Sequence, residues 1–218
     1  MKIYYCNINE FKDFQGTEYL SSERQERFNR YRTEQSKASC LVSGLLLRMT
    51  LGTDYEKHLI TNQHGKPMLK DLSRFFNISH SGDYVLLAIS DCELGADIEK
   101  IAPYNPKIAK RCFTANEKEW LDQHPDDKSF YNLWTGKEAV MKAAGKGFSM
   151  DTKSFDLIPI EDGIHEIHDS QWYLQWFELD SYQICIASSE EKKKEMIPIT
   201  KTELLDYLNK NSRKDLTP

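Results

Sequence analysis

Residues 84–99 read Tyr-Val-Leu-Leu-Ala-Ile-Ser-Asp-Cys-Glu-Leu-Gly-Ala-Asp-Ile-Glu, and their alternation sets the class of the fold. Six of the first seven are apolar and partly β-branched, the composition of a buried strand. Asp91-Cys92-Glu93 makes a polar turn, and residues 94–99 read as a second strand, so the pair is expected as a hairpin. Residues 75–78 have the same strand character. At the N-terminus residues 2–9 do too, with Ile3, Tyr5 and Asn7 opposing Tyr4, Cys6 and Ile8.

Elsewhere the apolar period lengthens to that of helices. Residues 22–31 form a short charged segment. Residues 35–51 carry Leu41, Val42, Leu45, Leu46 and Met49 at helical spacing, with Gly52 as a stop. Thr114 and Glu117 have capping-box spacing, which satisfies orphan amides at a helix start. A longer helix is predicted over 127–144, ended by Gly145-Lys146-Gly147. Residues 172–179 and 182–188 alternate as two antiparallel strands. The charge run 190–195 is expected in a solvated turn, and residues 202–208 suggest a short terminal helix. Strands and helices mixed in this way predict an α+β fold. Pro103 and Pro106 mark the expected boundary: an N-terminal lobe 1–102, a C-terminal lobe 103–200, and a tail 201–218 with a short helix.

The chain has 218 residues and a net charge of −5, from 29 Lys+Arg against 34 Asp+Glu. No overall basic field exists to hold nucleic acid. The longest apolar stretches, 41–47 and 85–89, fall short of the roughly 20 residues a bilayer requires. The N-terminus turns polar by Asn7 and lacks a signal-peptide core. Five scattered cysteines fit reduced thiols better than a disulfide framework or zinc cluster. The expectation is a cytoplasmic protein without membrane or nucleic-acid partners.

Three segments could carry chemistry. On a strand, Asp97 and Glu99 share one face while Ile98 enters the core. Two adjacent carboxylates repel unless a cation or proton is shared, and oxygen ligands suit Mg²⁺; two solvated acids are the plainer alternative. Glu138 and Lys142 stand at i,i+4 on the predicted helix, either as a surface pair or as a third carboxylate with a phosphate-binding cation. Ser79-His80-Ser81-Gly82, at a strand end, offers hydroxyls, an imidazole and amides to phosphate oxygens. The rival Ser/His catalytic pairing suffers because adjacent strand residues point apart. Lys66 and the cluster Arg24, Arg27, Arg30 and Arg32 add cations that are either ligand contacts or solvated surface. Gly145-Lys146 lacks the glycine spacing of a phosphate loop. His165 and His168 are not spaced as a metalloprotease pair.

Taken in order, Gly65-Lys66-Pro67, Asn77-Ile78-Ser79-His80-Ser81-Gly82, Gly95-Ala96-Asp97-Ile98-Glu99-Lys100, Phe113-Thr114 with Glu117, and Trp134-Thr135-Gly136-Lys137-Glu138-Ala139 with Lys142 resemble the signature of the 4′-phosphopantetheinyl transferases. The likeness is to the longer, surfactin-synthetase-activating type. It implies two similar lobes in a pseudo-two-fold arrangement, with coenzyme A and Mg²⁺ between them. It also implies the reaction: the phosphopantetheine arm of coenzyme A moves to a serine of an apo carrier protein of fatty-acid, polyketide or nonribosomal peptide synthesis, releasing adenosine 3′,5′-bisphosphate.

By this resemblance Asp97, Glu99 and Glu138 are metal ligands, and Glu138 and Lys142 are catalytic. Arg24, Arg27, Lys66, Ser79 and His80 contact coenzyme A. A basic or hydroxyl-rich stretch belongs at the start of the second helix, where this chain reads Lys37-Ala38-Ser39-Cys40. The enzyme is expected to be a monomer, because one chain supplies both lobes. The alternatives are a coenzyme A or nucleotide binding module without catalysis, and a Mg²⁺-dependent phosphohydrolase.

Overall fold

The apolar runs segregate into two helix-covered sheets in a computed structural model that describes residues 1–212. The strands are β1 (Lys2–Asn7), β2 (Leu59–Thr61), β3 (Pro67–Leu69), β4 (Phe75–Ser81), β5 (Tyr84–Ser90), β6 (Leu94–Lys100), β7 (Gly163–Ile167), β8 (Ser170–Leu179), β9 (Tyr182–Ser188) and β10 (Glu195–Pro198). The helices are α1 (Ser22–Arg30), α2 (Glu34–Leu51), α3 (Pro106–Cys112), α4 (Ala115–Gln123), α5 (Asp127–Ala143) and α6 (Lys201–Ser212). One four-stranded sheet has the order β10-β1-β5-β4, the other β6-β9-β8-β7, and β2 pairs with β3 in a separate hairpin. The class is α+β, as expected.

The two sheets share a topology. In one, β1 leads through α2 to the β4–β5 hairpin, and β1 pairs antiparallel with β5. In the other, β6 leads through α5 to the β8–β9 hairpin, and β6 pairs antiparallel with β9. Ile3, Leu86 and Ala88 of the first sheet meet Leu94, Ala96, Ile98, Ile184 and Ile186 of the second in a shared apolar layer. On the outer faces, Leu41, Leu45 and Leu46 of α2 and Leu133, Val140 and Met141 of α5 complete two further cores. The result is four layers, helix–sheet–sheet–helix, and residues alternating along each strand serve different layers.

One expectation is corrected. Strands β5 and β6 do not form a hairpin, because β5 has β1 on one side and β4 on the other. Both hydrogen-bonding edges of β5 are taken, so β6 crosses to the other sheet and pairs with β9. The second sheet starts with β6, ahead of residues 102/103. The end of the chain also returns to the first lobe: β10, out of the charge run, pairs parallel with β1. In α6, Leu204 and Leu208 are buried in the core of α2, an i,i+4 stripe finding its apolar partner. Residues 213–218 of the expected tail lie outside the described residues.

Candidate active site

Gly95 determines how closely helix and sheet approach. A Cβ at this position would lie 2.0 Å from Ala139 O and 2.3 Å from Ala143 N, so the backbone of α5 rests directly on β6. Alternation along β6 sends Ile98 into the layer between the sheets, while Asp97 and Glu99 face the helix. Glu138 and Lys142, one turn apart on α5, face them in turn. The four side chains line one cavity of about 320 Å³ with Ile78, Ser79, His80 and Trp134.

Lys142 Nζ lies 2.5 Å from Asp97 Oδ1 and 4.0 Å from Glu138 Oε2. Ser79 Oγ donates to Asp97 Oδ1 at 2.8 Å, and Ser81 Oγ to Glu99 Oε2 at 2.7 Å. Trp134 Nε1 donates to Glu99 Oε1 at 3.4 Å. Burial pushes the Glu138 carboxyl up to about 7, against the pull of Lys142 and helped by the charges of Asp97 and Glu99. Burial, then the charge of Asp97, likewise raises Glu99. Both shifts record uncompensated negative charge in a poorly hydrated place.

Among the described residues, no three acidic, imidazole or thiol groups close on a point as a ready-made metal cage. The donor set nevertheless suits a hard divalent cation. Asp97 Oδ2 and Glu138 Oε1 are buried without hydrogen-bond partners, and a buried carboxylate oxygen without a partner is strongly disfavoured in the absence of a cation, proton or water. The acids fit Mg²⁺, which takes one or two carboxylates and completes its octahedron with phosphate and water.

A larger cavity of about 710 Å³ adjoins this one, with Ile78 and His80 lining both. Its wall includes Arg24, Arg27, Gln35, Ser36, Ser39, Cys40 and Ser43. Arg24 reaches Glu56 (3.6 Å) and Arg27 reaches Glu23 (4.0 Å). Of the stretch 37–40, Ser39 and Cys40 face this cavity, whereas Lys37 sits over the Phe28 ring.

Lys66 lines neither cavity. Its Nζ donates to Leu94 O (3.1 Å) and Ala143 O (3.2 Å), tying the start of β6 to the C-terminal turn of α5. For three residues the sequence did not reveal the role the structure shows. Trp134 and Ser81 hold Glu99, and Ser81 was findable because it follows Ser79 by the strand period of two. Lys137, beside Glu138, is fully buried against Glu117; nothing in a lone Lys-Glu dipeptide distinguishes it from surface.

Comparison with known proteins agrees with the two-sheet division. Residues 10–92 match the model described as 4′-phosphopantetheinyl transferase, N-terminal, and residues 93–187 that of the 4′-phosphopantetheinyl transferase superfamily. The two meet between β5 and β6, where the chain changes sheets. The chain is 30% identical over 201 residues to the 4′-phosphopantetheinyl transferase ffp of Bacillus subtilis, covering 86% of this chain and 90% of that one. It is 32% identical over 206 residues to psf-1 of Bacillus pumilus, with 88% of each chain covered. To Sfp of Bacillus subtilis strain 168 it is 31% identical over 185 residues, 78% of this chain and 83% of the relative.

Proposed function

The chain belongs to the 4′-phosphopantetheinyl transferase superfamily, and we propose that it moves the phosphopantetheine arm of coenzyme A to a serine of an apo carrier protein in a Mg²⁺-dependent reaction. The observation that carries this reading is the meeting of Asp97, Glu99, Glu138 and Lys142, from two distant segments, in a cavity that opens onto the arginine-lined one. Binding an anion alone does not call for three acids.

In this reading the nucleotide end of coenzyme A lies in the larger cavity near Arg24 and Arg27. The diphosphate then reaches the carboxylates past Ser79 and His80. Asp97, Glu99 and Glu138 would hold the ion. When bound, Mg²⁺ neutralises the diphosphate and polarises its β-phosphorus. The serine Oγ forms its bond to that phosphorus as the bridging oxygen–phosphorus bond breaks, and adenosine 3′,5′-bisphosphate departs. Glu138, directly or through water, accepts the serine proton. Lys142 places its ammonium where charge develops on the leaving phosphate.

The acceptor side is the opening beyond Trp134, which also lines a cavity with Lys107, Ile108, Arg111 and Met150. Two cations and one acid, Asp151, beside apolar side chains suit an acidic carrier of fatty-acid, polyketide or nonribosomal peptide synthesis. No helix among the described residues is long and apolar enough to cross a membrane. The five free cysteines fit the reducing cytoplasm. One chain supplies both walls of the cleft, so a monomer is complete.

The test is to mix the protein with coenzyme A, Mg²⁺ and apo carrier, and weigh the carrier by mass spectrometry. A phosphopantetheine increment that disappears with chelator, and with Asp97→Ala, is expected. An unchanged carrier across several carrier types would overturn the transferase reading, and coenzyme A cleavage without a carrier would replace it with a hydrolase.

A further inference from the structure

Strand β6 is the outer strand of its sheet, and its free edge faces β4, the outer strand of the other sheet. No backbone ladder joins the two. Instead, side chains of β4 accept the outward amides of β6. Asn77 Oδ1 accepts from Ala96 N (3.0 Å), Ser79 Oγ from Ile98 N (3.4 Å) and Ser81 Oγ from Lys100 N (3.1 Å). The period of two runs in step along both strands. An open strand edge leaves amides unpaired, and here three side chains replace the missing strand.

The serines do more than cap amides. Each hydroxyl is both donor and acceptor, so each handles two successive β6 residues. Ser79 donates to the carboxylate of Asp97 while accepting from Ile98, and Ser81 donates to that of Glu99 while accepting from Lys100. At the first step of the series β6 has Gly95, which carries no carboxylate, and the β4 residue there is Asn77, whose oxygen need only accept. The residue types follow the partners.

We infer that Asn77 and Ser81 are positioning residues: with Ser79 they form a side-chain ladder that sets the register of β6 and aims its two carboxylates at the shared ion. The acids thus belong to one sheet while their aim is held by the other. This inference rests on reading Asp97 and Glu99 as ion-holding groups.

Ser81→Ala decides it, because Ser81 is only half-buried and the variant removes donor and acceptor together; Ser81→Thr restores both. The probe is Mn²⁺ binding to the protein alone, followed by the electron paramagnetic resonance signal of the free ion. Adenosine 3′,5′-bisphosphate binding is measured by calorimetry beside it. The expected result is Mn²⁺ affinity lowered fivefold or more in Ser81→Ala and recovered within twofold in Ser81→Thr, with nucleotide affinity within twofold throughout. Should Ser81→Ala not fold, Ser81→Cys, whose thiol is a weak donor and acceptor, takes its place with the same expectation. Unchanged Mn²⁺ affinity, or equal losses for ion and nucleotide, overturns the positioning role and leaves the ion reading standing. A wild-type protein that binds no Mn²⁺ overturns the ion reading and this inference with it.

Discussion

Lys137 Nζ lies 2.9 Å from Glu117 Oε1, and neither side chain has exposed surface. Lys137 also donates to Thr152 O (2.6 Å) and Phe155 O (2.8 Å). Glu117 accepts from Leu157 N (3.0 Å) and, closing the capping box of α4, from Thr114 N (2.9 Å). This one pair therefore ties α4, α5 and the segment 152–157 together, one residue from Glu138. Removing one partner of a buried pair leaves the other charge uncompensated, which costs about 3–5 kcal/mol. Lys137→Met is expected to lose that much in urea unfolding, and a loss below about 1 kcal/mol would show that the pair is dispensable.

A methyl group at position 95 has nowhere to go. The obstructing atoms, Ala139 O and Ala143 N, are backbone of α5, and a helix cannot move them by changing a rotamer. Gly95→Ala should destabilise by about 3 kcal/mol or more, at or beyond the upper range for overpacking, read as a drop in thermal midpoint. Unaltered stability would mean that α5 does not rest on β6 at this point.

Glu138→Gln should separate activity from stability. Transfer to the carrier is expected to fall by about 10²–10⁴-fold, the range for losing a positioned base; full turnover would remove the base role. In the metal-free protein the native carboxyl holds its proton to about 7, against 4.5 as a reference. Between those values the native state binds more protons than the unfolded one, so stability falls as pH rises. Glutamine has no charge to bury. Metal-free Glu138→Gln at pH 8 should thus be as stable as the wild type or more so, and chemical denaturation checks the sign.

Lys66 gives the opposite slope. Burial depresses its ammonium from 10.5 to about 8, so above pH 8 the unfolded chain binds the extra proton. Its penalty is fully present below pH 8 and is relieved as pH rises to 10.5. The neutral amine keeps two N–H donors for Leu94 O and Ala143 O. The stability difference between wild type and Lys66→Met should therefore shift in favour of the wild type from pH 8 to 10. Parallel curves from the two proteins would show that this lysine titrates normally.

Much of the architecture was legible because local patterns and tertiary partners agreed. The apolar stripe of α2, the capping box at Thr114 and the alternation of β8 and β9 demanded what they became. So did the facing of Asp97 with Glu99 and of Glu138 with Lys142, since strand and helix periods are local. The chain alone therefore determined an α+β fold, one pair of charged side chains sharing a face in each segment, and a family resemblance running through most of the length. The tertiary structure decided which edges were free: β5 had none, so β6 left for the second sheet, and β10 and α6 returned to the first. It also placed Lys66 on backbone carbonyls and buried Lys137 beside a glutamate twenty residues away. Hydrogen-bonding edges and buried charges are satisfied by whatever folding brings near, and sequence spacing holds no record of that proximity.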